Sequence, residues 1–320
     1  MTRRVVRLSG WVALLALGGC SSRGFRLFDP AGPISKAEAW ITVVDVAVMM
    51  LIILPTTLMI CLFLWRYRRT RNAAYDPVWS HSLPLEIAMW GVPLAIVGFL
   101  AYVVVQGTYA VNPYAPRILA NRALVPHTGN ALTVDVVATD WQWLFIYPKQ
   151  HIAMVDRLVI PSGRDIRFRL TSTSVVNGFY IPQLVGMIDA MPGMRTVDST
   201  RATRIGSYEG FSSDLSGAGF SWMRFRTDVV PAGAFQNFVT KTRAGQGDLT
   251  YARFQTLAQP TINLHQKPAY FSMVEPHLFR RVIEAARHGK IYRIPPDLTE
   301  HMARDARTRA PYIIGASSPG

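Results

Sequence analysis

The sequence predicts a helical hairpin of two transmembrane segments, followed by an exported all-β sandwich or barrel with a helical C-terminal extension. Three observations carry that prediction: two long apolar stretches in the first third of the chain, short alternating runs split by Gly, Pro and Ser after residue 113, and helical periodicity beyond about Ala234. Half of the 320 residues are hydrophobic and the mean hydropathy is +0.17, as suits a membrane protein. The net charge of +14 does not indicate nucleic acid, because the arginines are dispersed and no aromatic-basic motif accompanies them.

Residues 1–19 read as a lipoprotein signal peptide. Arg3, Arg4 and Arg7 precede an apolar run from Trp11 to Leu17 that is too short to span a bilayer. Leu17-Gly18-Gly19-Cys20 resembles the bacterial lipobox, so Cys20 is the expected lipid attachment at the head of an exported segment, 20–39. The alternative is an incidental cysteine in a cleaved leader. Only one other cysteine exists, Cys61, and it lies within an apolar stretch, which leaves no disulfide framework for an exported domain.

The stretches 40–65 and 85–107 are each long enough to cross a hydrocarbon core of about 30 Å. Arg66, Arg68, Arg69 and Arg71 open the intervening loop, 66–84, and the positive-inside rule places that loop in the cytoplasm with both outer ends outside. Pro55 and Pro93 are tolerable within the spans where neighbouring groups satisfy the freed carbonyls. Asp45, five residues into the first span, receives no role.

From 113 to 233, Leu132, Val134 and Val136 alternate with polar residues, as do Ile166, Phe168 and Leu170 with Asp165, Arg167 and Arg169, and Met223 and Phe225 with Arg224 and Arg226. These read as half-buried strands with a solvated basic face. Trp141 and Trp143 are expected on one side of a strand, filling a core or interface. In the helical region, 234–293, Leu278, Val282, Ile283 and Ala286 share one face, with Gly289 as the stop. The polar, Pro-bearing tail, 294–320, is expected to be disordered.

The stretches SVVNGFYIPQLVGMIDAMPGM and GFSSDLSGAGFSWM, together with TDWQWLFIYPKQHIA and NLHQKPAYFSMVEPHLF, resemble subunit II of the haem-copper respiratory oxidases, over roughly residues 38 to 288. The resemblance implies a cupredoxin-like Greek-key domain. In copper-bearing members, a Cys-x-Glu-x-Cys-x3-His-x2-Met loop and a separate histidine hold a dinuclear copper centre, CuA. Carried over residue by residue, the first histidine is Asn177, the cysteines are Ser212 and Ser216, the glutamate is Asp214 and the second histidine is Phe220; only Met223 matches. Copper bridged by thiolates needs cysteine sulfur and imidazole. The exported domain has no cysteine, and His127, His151 and His265 fall outside both loops. No metal is expected in this chain.

The chain therefore resembles the members that oxidise ubiquinol, the cytochrome bo type, rather than those that accept electrons from cytochrome c. The resemblance implies a subunit without its own redox centre in a proton-pumping oxidase of the bacterial inner membrane. Its domain would be periplasmic, haems and CuB would reside in subunit I, and subunits III and IV would be further partners. It also implies that Glu86, four residues before Trp90 and seven before Pro93, stands at the cytoplasmic mouth of the K channel. The positive-inside topology independently puts Glu86 on that side, although a carboxylate at a helix end can equally serve only to reach the interface. Two alternatives stand beside this reading: a CuA-bearing subunit, which the missing ligands oppose, and a lipid-anchored copper-delivery protein, for which Met187, Met191 and Met194 would be donors. Methionines more often pack a core.

Overall fold

The computed structural model describes residues 26–68, 81–112, 114, 131–245, 247–261 and 268–292. The leader 1–19, Cys20, Arg69, Arg71, His127, His265 and the tail 294–320 lie outside the described residues.

Two long helices come first, α1 (Pro33–Arg66) and α2 (Leu83–Val111). At 34 and 29 residues they are about 51 and 44 Å long at 1.5 Å per residue, and both are apolar enough to cross a membrane. Each exceeds the apolar stretch it contains, α1 through residues 33–39 and 66, α2 through residues 83–84 and 108–111. Pro33 supplies the first turn of α1, and Ser35 Oγ accepts from Gly32 N at 3.3 Å. Beside Pro55, the Thr56 hydroxyl donates to Ile52 O at 2.7 Å. The helices pair closely where Gly107 of α2 meets Ile41 of α1, since a Cβ at 107 would overlap the Ile41 side chain.

The β domain packs two sheets face to face, with strands numbered in chain order. One has the order β12 (Tyr270–Phe271), β3 (Ile152–Val155), β2 (Trp143–Tyr147), β1 (Leu132–Ala138), β5 (Asp165–Ser172), β8 (Thr196–Arg201). The other runs β4 (Arg157–Pro161), β10 (Arg224–Val230), β9 (Gly206–Ser212), β6 (Asn177–Ile181), β7 (Val185–Ala190). The β1–β5 and β4–β10 pairs are parallel, and the other pairs within these two sheets are antiparallel. A separate parallel pair joins β11 (Asp248–Leu249) to β13 (Met273–Val274).

Between the sheets lies an aromatic core. Phe179 contacts Trp143, Phe168 and Phe225 with ring centroids 5.3 Å apart in each case, and is stacked on Phe225. Tyr147 is buried here too, its hydroxyl donating to Val159 O at 2.8 Å.

The outer face of the first sheet is only partly solvated: Arg167 is exposed, as the alternation implies, but most of the face is covered. Val137, Leu144, Ile146, Ala153 and Val155 point outward into a second core. The C-terminal region closes it with Leu249, Phe254, Phe271, Leu278, Val282 and Ile283. Hence β2 is buried along its whole length. Arg169, expected on a solvated face, instead binds the buried Asp135 through Nε at 2.5 Å and Nη2 at 2.6 Å, and its guanidinium lies over the Phe279 ring. The C-terminal region contains helix α3 (Ala232–Arg243), whose Phe235 and Val239 enter the core between the sheets, and helices α4 (Tyr251–Leu257) and α5 (Leu278–Arg287) over the second core, but also three short strands, so it is less purely helical than its periodicity implies. Gly289 follows α5 with φ +75°, as a helix stop requires.

The head of α1 is fastened to the β domain. Ala31 N donates to Gln183 O at 2.7 Å, Thr203 N donates to Ala31 O at 2.8 Å, and Asp29 pairs with Arg204 at 2.7 Å. Ser35 Oγ donates to Gln183 O at 2.7 Å. Ser35→Ala should cost about 1 kcal/mol, the worth of one such bond, read as a lowered unfolding midpoint of the purified protein in detergent. An unchanged midpoint would show that the remaining contacts suffice.

Candidate functional site

The loop between β9 and β10 keeps a defined course without any copper donor. Strand β9 delivers Ser212 beside Asn177 at the start of β6, with the Ser212 hydroxyl 3.4 Å from Asn177 Oδ1. Met223 closes the loop: its carbonyl accepts from Ser212 N at 3.0 Å, and its side chain is buried. Ser213 N donates to Gly178 O at 2.9 Å, which holds the loop on β6. Asn177, Ser212 and Met223 are thus brought together.

Of the other three positions, Asp214 stays close, its carbonyl accepting from the Ser212 hydroxyl at 3.4 Å, whereas Ser216 and Phe220 have other surroundings. Asp214 lies over Gly178 beside Asp189, and burial together with the charge and hydrogen bond of Asp189 raises its carboxyl above the usual range. Ser216 lies against Trp141, whose Nε1 donates to Ser216 O at 3.0 Å. Phe220 begins a short 3-10 helix, Phe220–Trp222, and is half-buried at the wall of an open pocket instead of filling the interior.

Trp141 is the residue that shapes this loop. It lies in the turn preceding β2, not on the strand, so it does not share a strand face with Trp143 as alternation suggested; both nonetheless enter the same core. A Cβ on Gly219 would overlap the Trp141 ring, and one on Gly217 would come within 2.9 Å of it. Gly217 also has φ +115°, which glycine accepts freely. Gly219 is needed for close approach, whereas Gly217 serves both purposes. The turn is clamped from the C-terminal region, with Thr261 N donating to Asp140 O at 2.6 Å and Trp141 N to Thr261 O at 3.2 Å.

These donors do not fit a dinuclear copper centre. The site presents hydroxyls, an amide, a carboxyl and a phenyl ring, where thiolate and imidazole are required. Among the described residues no group of three or more His, Cys, Asp or Glu converges, and the one cysteine described is Cys61 on α1. The buried Oγ atoms of Ser213 and Ser216 lack a hydrogen-bond partner among the described residues, so nothing organises these hydroxyls as ligands. Met187 and Met194 are exposed and not packed in a core.

Glu86 lies far from this loop, in the first turn of α2, where a carboxylate complements the helix dipole. His81 Nδ1 is 2.5 Å from Glu86 Oε1. His81 was not singled out from sequence; its position five residues before Glu86, just ahead of a helix start, was the available signal.

Comparison with known proteins adds independent findings. Residues 147–230 match the family model for the periplasmic domain of cytochrome c oxidase subunit II, and 243–285 match the COX aromatic-rich motif. The chain is 38% identical to the ubiquinol oxidase subunit 2 of Acetobacter aceti, covering 90% of each chain. It is 34% identical to the cytochrome bo(3) ubiquinol oxidase subunit 2 of Pseudomonas aeruginosa, covering 87% of this chain and 81% of that one. Among solved structures, the periplasmic domain of cytochrome oxidase subunit II from Bradyrhizobium japonicum is 24% identical with a TM-score of 0.35, covering 37% of this chain and 95% of that one.

Proposed function

Because this chain belongs to the ubiquinol oxidase subunit 2 family, we propose that it is subunit II of a proton-pumping ubiquinol oxidase in the bacterial inner membrane. The complex oxidises ubiquinol and reduces oxygen to water. This subunit contributes scaffold and proton uptake, and no redox centre of its own. The observation that carries the reading is the β9–β10 loop, which retains its folded course around Trp141 while every thiolate and imidazole position holds another residue. A subunit of this form has no electron port for a soluble cytochrome, so electrons enter from the membrane quinol.

In this reading the haems and CuB belong to subunit I, with subunits III and IV as neighbours. Residues 1–19 are the leader and Cys20 carries lipid. Segment 20–39 is exported; 40–65 and 85–107 span the bilayer around a cytoplasmic loop, 66–84; and 113–233 with 234–293 lie in the periplasm, followed by the tail. The test is to purify the complex and measure copper per haem, near-infrared absorption, and turnover with ubiquinol against reduced cytochrome c. A CuA absorption band or cytochrome c turnover would overturn the reading.

Glu86 is the proton-uptake residue in this proposal. Its carboxylate faces the cytoplasm at the head of α2, and the His81 imidazole at hydrogen-bond distance supplies a second proton-exchanging group there. Glu86→Ala should slow turnover several-fold with quinol binding intact, less than the roughly 10²–10⁴-fold that a proton-transfer group at the reacting atoms contributes, because Glu86 stands at the entry and not at the chemistry. Steady-state oxygen consumption alongside a quinol-binding titration checks it, and unchanged turnover would remove the role.

A further inference from the structure

Strands β7 and β8 belong to different sheets, and each is the end strand of its own. The gap between them is stitched from β8, where Thr196, Asp198 and Thr200 are two residues apart and share one face. Thr196 Oγ1 donates to Asp189 O at 2.6 Å, and Thr200 Oγ1 donates to Leu184 O at 2.5 Å. Asp198, between them, makes no such bond across the gap; it accepts from the neighbouring Ser199 N at 2.7 Å.

Helix α1 closes this gap from outside. Its head is bonded at Gln183 and Thr203, and the Glu38 carboxyl rests against Gly186, where a Cβ would overlap it. Gly186 lies between Leu184 and Asp189, so Glu38 and Asp198 approach one interval of β7 from two sides, and the charge of Glu38 acts on Asp198. The second membrane helix reaches the same strand: Tyr114, three residues past α2, accepts from Val197 N at 2.5 Å.

The other charged and titratable groups around the gap do not neutralise it. Tyr180 on β6 is raised by burial and by the charge of Glu38. Asp189 is engaged with Asp214. Arg201 is held by Asp165, Arg204 by Asp29 and Arg224 by Glu209, and Lys36 is exposed on α1. Neither Glu38 nor Asp198 has a cationic partner among the described residues.

We propose that Glu38 and Asp198 form a pH-sensitive clasp between the membrane hairpin and the β domain: protonated, they let α1 close the β7–β8 edge, and ionised, they drive it open. Two carboxylates facing one gap without a cation repel each other and require water. Strand β8 is tied along its other side to β5, so the cover that lifts without breaking a sheet is α1. Burial raises Glu38 to about 7; burial, opposed by the Ser199 bond and reinforced by Glu38, raises Asp198 to about 8. With the clasp open, both return toward about 4. The closed form therefore holds protons that the open form has released. It loses ground as pH rises between about 4 and 8, by at most about tenfold per pH unit for each carboxyl, and is insensitive outside those limits. The physiological sense of the clasp rests on the functional proposal above: this joint faces the side where protons are released, so an active pump keeps it shut.

The test is hydrogen–deuterium exchange of the purified oxidase complex in phospholipid nanodiscs from pH 5 to 9, corrected for the intrinsic rate at each pH. Peptides 29–40 and 183–204 should lose about tenfold or more of their protection between pH 5 and 8, relative to peptides from β2 in the closed core. Glu38→Gln and Asp198→Asn keep the side-chain size and cannot ionise. Together they should flatten that ratio, and each alone should lessen its slope. A flat wild-type ratio, or a slope that persists in the double variant, would overturn the clasp. So would an equal loss of protection in β2, which is loosening of the whole domain. Where a variant fails to assemble, the wild-type ratio decides alone. Ubiquinol turnover on the same preparation separates the two proposals: a flat ratio with turnover intact overturns the clasp only, whereas absent turnover strikes the functional reading and leaves the ratio to judge the clasp.

Discussion

Phe179→Ala is expected to lower the stability of the protein by about 3–5 kcal/mol, the range for emptying a large aromatic from a closed core. Phe179 is fully buried and touches Trp143, Phe145, Phe168 and Phe225, so it ties strands of both sheets together. Removing the ring strips a contact from each of those neighbours, and rings fixed by one another cannot collapse into the space without leaving their own rotamers. The measurement is urea unfolding of the detergent-solubilised chain, followed by tryptophan fluorescence. The expected result is a lowered midpoint at unchanged slope. A loss below about 1 kcal/mol would show that the core relaxes as an ordinary surface site does.

Asp198→Asn is expected to make the protein more stable, and increasingly so as the pH rises. Asp198 is buried on β8. Burial pushes its carboxyl up to about 8, opposed by the hydrogen bond from Ser199 N and reinforced by the charge of Glu38. Below about pH 4 both folded and unfolded chains hold the proton, and the residue contributes no pH dependence. Between about 4 and 8 the unfolded chain releases the proton while the folded chain keeps it, so stability falls as pH rises, with a limiting slope of about 1.4 kcal/mol per pH unit. Above about 8 the folded carboxyl also ionises and the slope ends. Asparagine keeps an oxygen for the Ser199 N–H and has no proton to lose. Unfolding midpoints of both proteins across pH 4 to 8 should therefore diverge, with the wild type declining relative to the variant. Parallel curves would show that Asp198 is not held protonated.

The two apolar helices were legible because length and composition alone mark them: apolar residues run almost unbroken from Trp40 to Trp65. Strands such as β5 were legible because their inward set, Ile166, Phe168 and Leu170, repeats every second residue. The second core was not. Its outward residues on β2 merge with the inward ones into WLFIY, a run without alternation, and its covering residues are spread between Leu249 and Ile283. Trp141 was placed on a strand because two tryptophans two apart mimic strand periodicity, whereas the turn that separates them depends on the distant Thr261. That Ser212, Ser216 and Phe220 offer no thiolate or imidazole was readable, since it is a matter of which atoms are present. The surroundings of Ser216 and Phe220 were not, because they depend on where Trp141 and α1 stand in space.

The indole of Trp141 wedged against Gly217 and Gly219 separates the shape of the β9–β10 loop from its donor chemistry. In a loop held by ligands, exchanging a donor also releases the backbone. Here the wedge secures the backbone, so substitutions at 212, 216 and 220 are tolerated to the extent that they fit. A single methyl group at 219 is not, because it would strike the ring. For protein engineering, that makes the glycines and the tryptophan the fixed part of the scaffold, and positions 212, 216 and 220 its variable part.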